Sequence, residues 1–120
     1  MIYCRIFKIT FPNEFSKESF DSYILTNHTK VLEKKLFLMR ITITTSQNVG
    51  FYLNFFDSKN DLDNAWKEKG ESLFSKVKSL GAKIEKYEGD VPFLALNPTF
   101  NQLEISLSPF SLKLITSVLE

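Results

Sequence analysis

Residues 49–56, VGFYLNFF, form a strand that is apolar on both faces. Side chains alternate along a strand, so Phe51, Leu53 and Phe55 point one way and Tyr52, Asn54 and Phe56 the other. One face can pack against the chain's own helices. The other must be covered by something else, because a monomer would leave a large apolar patch in water.

The flanking segments show what one cover consists of. IYCRIFKITF (2–11) is rich in β-branched and aromatic residues and reads as a strand, and PNEFS then supplies a turn. A helix follows, with Ser16 as its expected cap and a rough apolar stripe of Phe20, Tyr23, Ile24, Val31 and Leu32, which Asn27, His28 and Thr29 are expected to end or bend. LFLMRITITT (36–45) returns to β character, with Phe37, Met39, Ile41 and Ile43 expected on one face and Thr42 and Thr44 on the other. The short SQN link makes this strand and VGFYLNFF antiparallel neighbours. From Ser58 to Leu80 the helical signal is clearest: Ser58 and Asp61 form a capping box, Leu62, Trp66, Leu73, Val77 and Leu80 recur at helical spacing, and Gly81 stands where a left-handed cap needs it. In AKIEKYEGDV, Ala82 and Ile84 alternate with Lys83 and Glu85, as on a strand at a sheet edge.

The resulting order, βαββαβ, predicts a ferredoxin-like α+β fold in which two helices back one face of an antiparallel sheet. At 120 residues the chain suits one core. Residues 1–92 are expected to form this domain. Residues 93–120 read as an extension, with a strand at QLEISL and a short helix begun by Ser108 and Pro109 carrying Leu112, Ile115 and Leu119, packed on the same domain or on a dimer partner.

Composition excludes several function classes. Fifteen basic residues against fourteen acidic ones leave a net charge of +1, too little to steer the chain broadly towards nucleic acid or an anionic membrane. With Cys4 alone there is no internal disulfide or thiolate metal cluster, and its apolar surroundings point to a buried filler. No HExxH, Gly-rich phosphate loop or serine elbow occurs, and Asp57, Asp61 and Asp63 suit a helix start better than a calcium loop. The expectation is a soluble cytoplasmic protein with no membrane span, metal or cofactor.

The element order, the hairpin before an aromatic third strand, and the Trp66 helix ending in SLGAKIEKYEGDV resemble the dimeric α+β barrel superfamily, especially antibiotic-biosynthesis-monooxygenase-like proteins. This resemblance spans roughly residues 2–92 and implies a homodimer packed through the open sheet face, with a ligand held between sheet and helices. It also implies cofactor-independent oxygenation of a small electron-rich aromatic molecule. Trp66 resembles the pocket-lining Trp of the superfamily's haem-degrading branch, but Arg5 falls where that branch has Asn, and the helix around Lys76 offers no His for iron.

Within such a pocket the candidate catalytic residues are His28 and Asn54. His28 is the only histidine and ionises near neutrality, while Asn54 interrupts an apolar strand and could orient a ligand carbonyl or phenol. Phe51, Phe55 and Trp66 are expected as walls, and Arg5 and Arg40 could hold a carboxylate if their strands turn them inward. Each has a plainer reading: helix cap for His28, strand-to-strand bond for Asn54, core for Trp66, exposed tip or intersubunit ion pair for the arginines. Two other functions fit the same fold. One is a noncatalytic dimeric scaffold or small-ligand binder. The other, an RNA-binding module, would stack bases on Tyr3, Phe51 and Phe56 beside Gly50, but Val49 stands at a usual basic position and Leu53 at a stacking one.

Overall fold

The computed structural model describes residues 1–33 and 37–95, excluding the side chains of 28–33 and 69. Its elements are β1 (Tyr3–Thr10), α1 (Glu14–Glu33), β2 (Met39–Ser46), β3 (Val49–Phe56), α2 (Lys59–Ser79) and β4 (Lys83–Asp90). The four strands form one sheet in the order β2-β3-β1-β4, with every neighbouring pair antiparallel. This is the expected ferredoxin-like arrangement, with β4 at an edge. The strand and helix read at 103–119 lie outside the described residues. Among the described residues no helix is long and apolar enough to cross a membrane.

Local chemistry sets the helix boundaries. Asn13, rather than Ser16, caps α1: its Oδ1 accepts the Ser16 N–H at 2.8 Å, and Ser16 is buried within the first turns. Nor does α1 end at Asn27. The Asn27 amide donates to the Tyr23 carbonyl at 2.8 Å, one turn back, so its polar group bonds along the helix instead of breaking it. At the start of α2, Ser58 Oγ accepts the Asp61 N–H at 3.1 Å. Gly81 closes that helix at φ 70°, a left-handed conformation that a Cβ would strain, while the Gly81 and Ala82 N–H groups bond back to Lys78 and Val77.

Both helices pack on the same face of the sheet. Phe7, Ile9 and Phe11 from the β1 side meet Phe20 of α1, Tyr52 of β3 and Val77 of α2 in one buried cluster. A second cluster joins Phe37, Phe56, Leu62 and Ala65, with Tyr3 against it. Phe37 thus departs from the face expected for it. It precedes β2 and so escapes that strand's alternation, which carries Met39, Ile41 and Ile43 to the open face. A polar group ties α1 to the sheet: Lys17 Nζ lies 2.7 Å from Asp21 Oδ2 and donates to Thr44 Oγ1 at 2.8 Å, and Tyr52 donates to Asp21 Oδ1 at 2.6 Å.

The open face carries Phe51, Leu53 and Phe55 beside Met39, Ile41 and Ile43, with Ile41 and Ile43 37% and 45% exposed. Cys4 lies on this face, where burial pushes its thiol up, opposed by a backbone hydrogen bond at Asn54. Its burial suits a filler better than a nucleophile. Tyr3 and Phe56 are cross-strand partners on the helix side, away from Phe51. The three aromatics that an RNA-binding sheet would need do not share a surface.

Candidate functional site

Strand register builds a polar row across the sheet. Arg40 of β2 pairs with Asn54 of β3, Asn54 with Arg5 of β1, and Arg5 with Glu88 of β4. All four side chains project to the helix side. Their bonds follow the row: Arg40 Nε donates to Asn54 Oδ1 at 2.7 Å, and Arg5 Nε donates to Glu88 Oε2 at 2.7 Å. Glu88 also accepts from the Tyr3 hydroxyl at 3.2 Å. Burial pushes the Glu88 carboxyl up, but the bonds and charge of Arg5, with Tyr3 and Lys86, outweigh it and leave the group below its ordinary value.

Above this row lies a cavity of about 190 Å³ between the sheet and both helices. Its floor is Arg5, Phe7, Arg40, Asn54 and Phe56; α1 contributes Tyr23, Ile24 and Asn27, and α2 contributes Leu62, Ala65, Trp66, Gly70, Ser72 and Leu73, with Phe37 beside them. Most of the wall is apolar, with a few convergent polar groups, the usual character of a small-molecule site. An engineered apolar cavity of about 150 Å³ holds benzene, so this volume suits a single ring with a substituent.

Trp66 forms the wall that is most closely held. Its ring lies 6.0 Å from Phe7, meets Phe74 edge-on at 5.0 Å, and carries the Arg5 guanidinium 5.2 Å from its centre. The indole also passes directly over Gly70, where an added methyl group would overlap it. Gly70 is a helix-interior residue, so alanine would normally stabilise α2 by about 1 kcal/mol. Here Gly70→Ala is expected to lower stability by about 1–3 kcal/mol through overpacking and to displace Trp66. Trp66 is the only tryptophan, so its fluorescence, read alongside urea unfolding, reports both effects directly.

Arg40 differs from Arg5 in its charge balance. Arg5 is neutralised by Glu88, whereas Arg40 has no carboxylate within ion-pair distance among the described residues. Its guanidinium lies 4.4 Å over the Phe37 ring, and burial lowers its pKa to about 10, so it stays charged at neutral pH. The Nε bond also orients Asn54: with Oδ1 accepting, the Asn54 amide hydrogens are turned away from Arg40.

The structure therefore brings Asn54, Arg5, Arg40 and Trp66 to one cavity. Phe51 and Phe55, expected as its walls, lie on the opposite face of the sheet, because they alternate with Asn54 along β3. His28 belongs to α1, but its side chain lies outside those described. Sequence reasoning missed the contributions of Phe37, Asn27 and Glu88. Glu88 meets Arg5 through the pairing register of β1 and β4, which no local stretch of sequence carries.

Comparison with known proteins bears on this geometry. No family model matches the sequence, and neither does any curated protein. Among solved structures, a dimeric ferredoxin-like protein from an uncultured marine organism shares 15% identity at a TM-score of 0.67, over 80% of this chain and 92% of that one. A mutant of SnoaB, a cofactor-independent oxygenase from Streptomyces nogalater, gives 0.65 at 9% identity, over 78% of this chain and 95% of that one. A monooxygenase from the ActVA-Orf6 gene of Streptomyces coelicolor, in complex with Nanaomycin D, gives 0.58 at 8% identity, over 78% and 92%. The chain shares the ferredoxin-like α+β fold of these proteins. At these identities the likeness concerns the fold alone.

Proposed function

We propose that the cavity binds a small electron-rich aromatic molecule and that the protein is a cofactor-independent oxygenase, working as a homodimer joined through the open sheet face. The observation that carries this reading is the mainly apolar cavity walled by Trp66, Phe7 and Phe37 above the Asn54–Arg40 pair. The similarity to SnoaB and to the ActVA-Orf6 monooxygenase supports it at the level of the general class.

The chemistry assigned to the residues is limited. A bound phenol loses its proton to His28, which follows the cavity-lining Asn27 on α1. The Asn54 amide donates to the phenolate, holding the anion that reduces oxygen. Phenol and O2 then give a quinone and water: one oxygen atom joins the ring, the other leaves as water, and the ring is oxidised. Oxygen uptake with a panel of single-ring phenols tests this. Uptake matched by quinone absorbance, and lost in His28→Ala and Asn54→Ala, is the expected result; binding without uptake would leave a noncatalytic carrier, and no binding would overturn the site.

The dimer has its own test. Leu53 lies at the centre of the open face, between Ile41 of β2 and Ile6 of β1. Leu53→Lys would bury a charge without a partner if two sheets pack there, so it is expected to convert a dimer to a monomer in light scattering. An unchanged dimer would place the interface elsewhere.

A further inference from the structure

We infer that the ligand of this cavity is an aromatic carboxylate, and that the Nη end of Arg40 is the group that selects its charge. The inference rests on reading the cavity as a ligand site but requires no turnover there.

Three observations point the same way. First, the row across the sheet is unbalanced: Glu88 offsets Arg5, while Arg40 meets only the amide oxygen of Asn54 and the face of Phe37 among the described residues. A guanidinium half-buried in an apolar wall is costly without a counter-charge. No side-chain nitrogen or oxygen among the described residues is both fully buried and unpartnered, and Arg40 lines the cavity.

Second, the geometry is set in advance. Asn54 occupies Nε, and the guanidinium carbon sits 4.4 Å from the centre of the Phe37 ring, which leaves the two Nη groups as a fork at the end of the side chain. Two parallel N–H donors match both oxygens of a carboxylate, whereas a lone phenolate oxygen would leave part of the fork unpaired. Third, the space of about 190 Å³ accommodates one ring beside that fork, with Trp66 and Phe7 for its faces. Combined with the proposed oxygenation, this makes the substrate class a phenol that also bears a carboxylate, the acid group held by Arg40 and the hydroxyl directed at the Asn54 amide.

Calorimetric titration with benzoate and its uncharged isostere benzamide tests the inference on the intact protein. Benzoate is expected to bind about tenfold or more tightly than benzamide. Arg40→Met should abolish this preference while retaining benzamide binding, and Arg40→Lys, which keeps the charge but loses the fork, should retain only part of it. Equal affinities in the unmodified protein would overturn the inference while leaving the cavity as a ligand site. A preference that survives in Arg40→Met, or in Arg40→Lys at full strength, would also overturn it. Binding of neither probe would remove both the inference and the site. Benzoate selectivity together with no oxygen uptake on a hydroxybenzoate would sink the oxygenase reading alone.

Discussion

Phe20→Ala is expected to lower the free energy of unfolding by about 3–5 kcal/mol, the cost of emptying a fully packed aromatic site. Phe20 is 1% exposed and stands where α1 meets the sheet. Its ring contacts Phe11 at 5.5 Å and meets Tyr52 edge-to-face at 5.2 Å, with Tyr23 at 6.4 Å. Among the described residues of α1, only Phe20 is a fully buried member of the cluster that holds β1, β3 and α2 together, with Ile24 packed against it at partial burial. α1 is poorly amphipathic, with Phe15 and Leu25 exposed at 79% and 67%, so its docking depends on few side chains. Urea unfolding monitored by circular dichroism measures the loss, and a decrease below about 1 kcal/mol would show that α1 is held mainly by its polar contacts.

Those polar contacts are the subject of the second large effect. Asp21→Ala removes the anion that pairs with Lys17 and accepts from Tyr52, leaving a cation on a residue only 5% exposed. Breaking a buried ion pair from one side typically costs about 3–5 kcal/mol, and the partial exposure of Asp21 brings the expectation down to about 2–3. Lys17→Met should cost less, because it removes the buried charge rather than stranding it.

The same group makes stability depend on pH at the alkaline end. Burial, then the bond to Asp21 and its charge, pushes the Tyr52 hydroxyl far above its usual value of 10.0. An acid whose pKa is raised by folding contributes stability that is complete below its unfolded value and is lost as pH rises through the folded one. The urea midpoint is therefore expected to fall as pH rises beyond about 10, and Tyr52→Phe should flatten that decline. An unchanged slope in Tyr52→Phe would assign the decline to other groups.

Much of the architecture was legible in the sequence because it rests on local chemistry. Ser58 with Asp61, Gly81, and the alternation in VGFYLNFF act within a few residues of the chain, and each produced the expected element. The exceptions were also local competitions. Asn13 displaced Ser16 as the cap by lying one turn earlier beside Pro12, and the amide of Asn27 found a carbonyl within the helix. Alternation further separates Phe51 and Phe55 from Asn54, so those three could not have shared one wall within a single chain.

What the sequence determined by itself was the order of elements and the existence of a strand needing two covers. Only the tertiary structure decided which face received the helices and which residues became neighbours there. Arg40, Asn54, Arg5 and Glu88 come from four different strands, and only pairing register places them in one row. Register is a relation between segments far apart in the chain, set by how the apolar faces match across the sheet. No stretch of sequence therefore announces that Glu88 neutralises Arg5 while Arg40 meets no carboxylate among the described residues.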